Sequence, residues 1–542
     1  MVLKNSLTLI NEFYFYISNK IRKLYLNSQI YNKKISKIDN KILDYTPSLN
    51  IFDCIIKYEK KKNKIEDYLL DSIWTNEKLN INDYKKLHSF FWLFSIDLKS
   101  SKKITQSIIL KWINENKNYN NKNWEVDTLS KRIISWISNS KLTYEDASQD
   151  FKENFNFILK KQINHLINEI NRSELSDNKM TSCTAIILAG LSYKDQKFLD
   201  YGLSLLKKIS NFSFDIYGFP KSRNLSQLVF YLKYFVLIRE LLKESQNEIP
   251  DYLNERIFYL GQAYNFIFQS TKVSFLFNGN YEVSYSDFDK YIKFRDYKFK
   301  SNFFEVGGYA ILKNKNVSII MDVGNLPEKK FSKNFQSGTM SFEFAYQNKK
   351  LISNSGYFQN YKHQLNNISR STAAHSTLIL DNTSITKFKK NNVGDLVFEN
   401  NYKIFNKKII FEKNFWSIHS SHDGYQKKYG IVHQREIEFY PEKNILVGKD
   451  KLIKKKNYKS TNFEIRFHLD PDSKVLKTQN GKNILIELEN SGWKFTCNGY
   501  LIDIETGLYF GKKNSFIENQ NIFVTGLTQE EDQVIVWKIE KI

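Results

Sequence analysis

The chain has 542 residues, which at roughly 150 residues per domain allows three or four domains, or two large ones where sheets or helical rings run longer. A hydrophobic fraction of 41% and an aromatic fraction of 15%, with 42 Phe and 33 Tyr, provide apolar material for buried cores and exclude a chain that is disordered throughout. The formal net charge of +23 favours an anionic partner through attraction that weakens with salt, but its sign does not choose among nucleic acid, a membrane surface and an acidic polysaccharide.

The first thirty residues interleave Lys4, Asn5, Asn11, Glu12 and Lys20 with apolar positions. They therefore read as neither a signal-peptide core with a small-residue cleavage site nor a membrane span, and the default expectation is a cytoplasmic protein. Lysine runs such as Lys60-Lys61-Lys62 and Lys454-Lys455-Lys456 read as solvated faces or turns, and the abundance of Lys and Asn also fits an AT-rich coding bias. Cys54, Cys183 and Cys497 are far apart and odd in number, which excludes a disulfide framework or a CxxC clip and predicts packed thiols.

Up to about residue 270 apolar residues recur at three- and four-residue spacing, as in Leu87-Phe90-Phe91-Leu93-Phe94 and Leu228-Phe230-Leu232-Phe235-Val236, predicting successive amphipathic helices. Such helices can close as a bundle, a solenoid or an (α/α) toroid, and periodicity does not separate these. Between Lys272 and Asn302 the texture changes, with Phe277-Asn278-Gly279-Asn280-Tyr281 as a turn-rich connector. Beyond it come short runs such as Tyr309-Ala310-Ile311-Leu312, Val317-Ser318-Ile319-Ile320-Met321 and Ile484-Leu485-Ile486-Glu487-Leu488. Rich in β-branched and aromatic residues and bounded by turns, they predict an antiparallel sandwich or barrel.

The most informative stretch is Arg370-Ser371-Thr372-Ala373-Ala374-His375-Ser376-Thr377-Leu378, closing on Leu380-Asp381. Small residues crowd a single histidine just before an apolar strand and leave its imidazole room to meet a ligand. This block resembles the signature of the heparinase II/III family of polysaccharide lyases. Further resemblances follow in the family's order: Phe91-Trp92-Leu93, Trp124 with Lys131-Arg132-Ile133-Ile134-Ser135-Trp136, Ser222-Arg223-Asn224, Asp322-Val323-Gly324, Gly338-Thr339-Met340-Ser341-Phe342-Glu343 and Ile465-Arg466-Phe467-His468-Leu469-Asp470-Pro471. The resemblance implies an N-terminal (α/α) toroid over residues 1–285 and a C-terminal antiparallel β-sandwich over residues 286–542. It also implies a bacterial enzyme of carbohydrate metabolism, with the periplasm or cell envelope as the alternative compartment.

A lyase of this kind breaks the bond at C4 of a uronic acid by β-elimination. That requires a donor to the C5 carboxylate, a base for the C5 proton and an acid for the leaving oxygen. The resemblance points to Asn224 as the carboxylate neutraliser with Arg223 beside it, to Tyr281 or Tyr285 in the connector, and to His375 for proton transfer. Asn224 could instead cap the helix beginning at Leu225. Arg370 either grips a carboxylate or ties its loop down, and Glu343 is an acceptor that fixes the sandwich or faces a cleft. Gln336 stands where relatives carry a histidine ahead of the Gly-Thr-Leu-Ser-Phe-Glu element and is a candidate substrate contact; Pro220 stands near Ser-Arg-Asn where relatives often have another histidine. His468 is expected to be structural. His419, His422 and His433 match no metal-site spacing and are expected to scatter over neighbouring strands, so no cofactor is predicted, with a structural divalent metal left open. The expected partner is an anionic, uronate-containing glycan, with neither nucleic acid nor an integral membrane segment; the oligomeric state is open. The rival expectation is a non-catalytic binder of acidic glycan on the same fold.

Overall fold

The structure, a computed structural model, describes residues 17–56, 68, 74, 79–97, 102–173, 176–361, 363–390, 396–478, 481–489, 491–513 and 515–542. Lys4, Asn5, Asn11, Glu12 and Lys60 to Lys62 lie outside the described residues. The N-terminal region is helical and the C-terminal region is antiparallel sheet. Two compact units interleave along the chain. The first takes the described residues of Met1–Ser213, then Phe230–Ile257 and Lys290–Asp296; the second takes Phe214–Val229, Phe258–Asp289 and Tyr297–Ile542.

In the first unit, helix Val126–Ser138 starts at Glu125, whose carboxylate accepts from the Thr128 amide, and helix Gln149–Glu169 starts at Ser148, whose hydroxyl accepts from the Phe151 amide. Arg132 is fully buried, yet each end of its guanidinium is satisfied: Nε donates to Gln162 at 3.1 Å, Nη1 to the His88 carbonyl at 2.8 Å and Nη2 to the Asn123 carbonyl at 2.9 Å. The cation also lies 4.2 Å from the Trp112 ring centroid. The periodic run beginning at Leu87 is not one helix. Helix Ile81–His88 ends at Ser89, Phe90 takes a left-handed φ of 56°, and a 3-10 turn follows over Phe91–Ser95. The break lets the Phe90 ring lodge edge-on against Trp112 and Trp136, with centroids 5.9 and 5.3 Å away, so buried aromatic packing overrides local periodicity. Among the described residues no helix is long and apolar enough to cross a membrane.

In the second unit, a further helix, Ser286–Phe294, begins after the connector, and the first strand appears at Glu305–Val306. The strands expected from the apolar runs form at Tyr309–Lys313, Val317–Asp322 and Asn483–Leu488. Among the described residues the strands build a nine-stranded sheet, an eight-stranded sheet and a two-stranded ribbon. The two large sheets pack face to face: Phe342 stacks on Trp537 at 5.3 Å, and Phe467 meets Phe495 at 4.9 Å. Strand Gln533–Lys541 shows the alternation this requires, burying Ile535, Trp537 and Ile539 while Val534 and Val536 face outward.

An ionic cluster sits inside the sandwich. Asp450 accepts from Arg435 Nε at 2.7 Å, Arg435 Nη2 at 3.1 Å, His433 Nε2 at 2.6 Å and Trp537 Nε1 at 2.9 Å. Its carboxyl is held well below the usual range: burial opposes ionisation, but the Arg435 cation and the donors outweigh it. Antiparallel register places His422 directly opposite His433, with Nε2 and Nδ1 3.3 Å apart. The expectation that these histidines scatter therefore fails for that pair, because one hairpin sets the two side chains on the same face. Asp450→Asn leaves a buried guanidinium without its counter-charge, and the expected cost is about 3–5 kcal/mol of unfolding free energy, read from denaturant midpoints. A loss below 1 kcal/mol would mean the cluster is solvated enough to be dispensable.

Candidate active site

The segment 219–224 enters helix Leu225–Glu244 through a tight turn in which the Arg223 amide donates to the Pro220 carbonyl at 2.8 Å and Arg223 adopts a φ of 59°. Asn224 is the N-cap, its Oδ1 accepting from the Gln227 amide at 3.1 Å. The cap and the carboxylate-neutralising role do not compete. Oδ1 is used by the helix, whereas Nδ2 reaches towards Gly279, 2.7 Å from where a Cβ would stand. Gly279 has a φ of 88°, so the turn needs glycine for its backbone as well as for this approach.

Arg223 departs from expectation. Its guanidinium is buried and donates to the carbonyls of Gly307 at 3.0 Å, Gly308 at 3.1 Å, Gly324 at 3.2 Å and Asn325 at 3.3 Å, and to Asp322 Oδ1 at 2.5 Å. A guanidinium with its donors so engaged is a brace and not a substrate clamp. It fixes the turn that presents Asn224, helped by the Tyr309 hydroxyl, which donates to the Arg223 carbonyl at 2.6 Å.

Gln336 and Arg370 are likewise turned inward. Gln336 donates through Nε2 to the carbonyls of Gly356 at 2.9 Å and Ser369 at 2.7 Å, and its Oε1 accepts from the Gly279 amide at 3.0 Å. Arg370 donates to Asn366 Oδ1 at 3.1 Å, to the Phe335 carbonyl at 3.2 Å, to the Lys333 carbonyl and to the Tyr357 hydroxyl at 2.9 Å. Both were candidate substrate contacts. Both instead tie down the loops around His375.

His375 follows a 3-10 turn, Thr372–Ala374, and is 1% exposed. Its Nδ1 lies 2.8 Å from the Ser371 carbonyl, which only accepts, so the proton sits on Nδ1 and Nε2 carries a lone pair. Among the described residues Nε2 has no hydrogen-bond partner. Burial pushes the imidazole pKa down to about 4, against the Ser371 carbonyl, which raises it. Gly338 makes room for the ring: a Cβ there would stand 2.5 Å from Cδ2 and 2.9 Å from Nε2. His468 holds the same loop from below, its Nε2 2.9 Å from the Ala373 carbonyl and its Nδ1 3.1 Å from Ser355 Oγ.

The two tyrosines differ. Tyr281 is half-buried, with the Lys513 ammonium 5.5 Å from its ring centroid, and burial raises its hydroxyl pKa. Tyr285 packs its ring 4.9 Å from Phe268, and burial holds its hydroxyl well above the ordinary value while Ser226 hydrogen-bonds it. Tyr285 lines a cavity of about 720 Å³ with Phe268, Lys272, Glu282, Lys350 and Tyr509, a volume in the range of small-molecule sites. Asn224, Tyr281 and His375 do not line that cavity. Among the described residues no group of three or more His, Cys, Asp or Glu side chains is disposed to hold a metal ion.

Sequence reading missed the residues that knit these parts together. Asn278 donates to the Tyr309 hydroxyl at 2.6 Å and accepts from the Gln336 amide at 3.2 Å; Asn280 accepts from Ser226 at 2.5 Å. The connector is thus bonded to the start of helix Leu225–Glu244, to strand Tyr309–Lys313 and to the segment leading to Gly338. The only sequence signal was the Asn-Gly-Asn turn, which marks a bend without naming its partners.

Residues 298–538 match the family model described as Heparinase II/III-like, C-terminal. Those residues therefore form a domain similar to the heparinase II/III C-terminal domain. Solved structures extend the likeness across the whole fold. A heparinase III crystal structure aligns with a TM-score of 0.68 at 13% identity, covering 99% of this chain and 92% of that one. A heparan sulfate lyase from Pedobacter heparinus aligns with a TM-score of 0.63 at 14% identity over 91% of this chain and 82% of its own. A further heparinase III gene product gives 0.67 at 15% identity, over 93% and 87% respectively. At such identities the likeness is one of fold. No curated protein matches the sequence. The heparinase II/III-like chain therefore shares its architecture with polysaccharide lyases, and its chemistry must be argued from its own side chains.

Proposed function

We propose that this chain is a polysaccharide lyase that cleaves an anionic, uronate-containing glycan by β-elimination, on a helical (α/α) toroid over residues 1–285 followed by a sheet domain over residues 286–542. Asn224 donates through Nδ2 to the C5 carboxylate, lowering the cost of the carbanionic charge that develops there. Proton transfer falls to Tyr281 and His375. One takes the proton from C5; the electron pair forms the C4–C5 double bond, the C4–O bond breaks, and the other group protonates the departing oxygen. Tyr281 is preferred to Tyr285 because it is the more accessible hydroxyl and has a lysine over its ring, whereas Tyr285 is packed between Phe268 and the start of helix Leu225–Glu244.

The observation carrying this reading is the unpartnered Nε2 of His375, in a loop joined through Gln336 and Gly338 to the turn on which Asn224 Nδ2 is aimed. The test is incubation with heparan sulfate, alginate and related uronates, following the ultraviolet absorbance of the unsaturated product. Absorbance that grows with time is expected for at least one of them, and silence with all of them defeats the reading. A non-catalytic glycan binder is the second reading, favoured by Gln336 and Pro220 standing where relatives have histidines; binding without turnover, unaffected by Tyr281→Phe, would establish it.

A further inference from the structure

We infer that Glu343 is a positioning residue that sets the connector carrying Tyr281 in register with the loop carrying His375. Glu343 lies on strand Phe342–Tyr346 and is 0% exposed. Its Oε1 accepts from the Leu276 amide at 3.0 Å, from the Asn354 amide at 2.9 Å and from Asn354 Nδ2 at 3.2 Å. Asn354 passes the link on, its Oδ1 accepting from the Ser376 amide at 2.9 Å. Leu276 lies in the connector shortly before Tyr281, and Ser376 follows His375 directly. One carboxylate oxygen and one side-chain amide therefore join the two segments that bear the proposed proton-transfer groups.

Neighbouring positions on this strand are apolar, and a leucine or methionine would fill the same volume without burying a polar group. A carboxylate persists there only if its acceptor capacity is used, and charge-assisted bonds to backbone amides are short and directional. The second oxygen, Oε2, has no partner among the described residues. The titratable groups that face Glu343 are Lys350 and Tyr509. The Lys350 ammonium is already committed to the Tyr509 hydroxyl at 3.0 Å, the Ser274 carbonyl at 3.3 Å and Glu282 at 3.5 Å. Burial raises the Glu343 pKa to about 7, with Lys350 and the three amide donors opposing, so the strut changes charge across neutral pH.

The kinetic part of this inference rests on the lyase reading; the structural part does not. Glu343→Gln keeps the acceptor oxygen, whereas Glu343→Met removes it. On a uronate glycan that the wild-type chain cleaves, Glu343→Met is expected to lower kcat by roughly a hundredfold with KM little changed, the size expected of a displaced catalytic group. Glu343→Gln is expected to stay within about threefold of wild type and to lose the neutral-pH inflection in its rate profile. Equal losses in both variants, or no loss in Glu343→Met, would overturn the role. Hydrogen exchange on the unaltered protein supplies an arm that needs neither activity nor a folded variant. The Leu276, Asn354 and Ser376 amides should open as one unit and shift together between pH 6 and pH 8, and unrelated opening energies for Leu276 and Ser376 would refute the link. If no uronate is cleaved the lyase reading falls, and the exchange result alone decides the strut.

Discussion

His375→Ala is expected to reduce turnover of the cleaved glycan by about 10² to 10⁴-fold, the range lost when a positioned proton-transfer group is removed. The geometry gives three reasons. The Ser371 carbonyl holds the proton on Nδ1, so a lone pair is always presented on Nε2. No described residue competes for that lone pair. The loop also has supports that do not pass through the imidazole: the Arg435 guanidinium donates to the Ser376 carbonyl at 2.8 Å and the His468 amide donates to Ser376 Oγ at 2.9 Å. The variant should therefore fold, and circular dichroism with kcat and KM from the absorbance assay separates lost chemistry from lost structure. With the free imidazole pKa near 4, His375 should contribute no acid limb to the kcat/KM profile near the usual histidine value of about 6.5, and any inflection near neutrality should disappear in Glu343→Gln. Wild-type rates in the variant would remove His375 from the reaction.

Stability is expected to fall steeply between pH 6.5 and pH 4. Burial lowers the pKa of His375 to about 4 and those of His88, His165 and His468 to about 3. Each imidazole is thus neutral when folded and protonates near 6.5 when unfolded, so below that pH the unfolded chain binds more protons and is favoured. The contribution is fully present above pH 6.5 and is lost as pH falls towards the folded-state pKa. At 1.36 kcal/mol per unit, each histidine loses roughly 3–5 kcal/mol over its window, and the two in each unit together approach the whole stability of a typical domain. Glu343 acts in the opposite sense: raised to about 7, it favours the folded state below its unfolded value and withdraws on the order of 3 kcal/mol as pH rises through neutrality. The histidines outweigh it. Urea midpoints measured from pH 4 to pH 8 should climb through pH 6 and flatten or dip slightly above 7; midpoints that do not change below pH 6.5 would contradict the neutral, buried state of these side chains.

The order of helices then strands was legible because a 3.6-residue period and short β-branched runs survive in the sequence, as in Leu225–Glu244 and Val317–Asp322. The break at Phe90 was not, because the left-handed turn is stabilised by Trp112 and Trp136, which lie elsewhere in the chain. At the candidate site, residue type indicated what Asn224, Arg223, Arg370 and Gln336 could bond but not what they do bond. An arginine reads as a ligand clamp until the carbonyls around Arg223 and Arg370 are seen to consume its donors. Glu343 was ambiguous for the same reason: the amides that give its carboxylate a purpose come from Leu276 and Asn354.

The interleaving of the second unit dictates when, in the life of the chain, the site can exist. The strap Arg223–Asp322 spans 99 residues, the Leu276–Glu343 bond 67, and the Ser376–His468 bond 92. The strand bearing His468, Asn462–Leu469, is itself hydrogen-bonded along Ile517–Leu527. A polypeptide emerging from the ribosome therefore forms its helices early but cannot assemble the proposed catalytic neighbourhood until the strand Ile517–Leu527 has been made. Contacts of such high sequence separation belong to the slow end of folding, so the growing chain holds its helices well before the proposed site is formed.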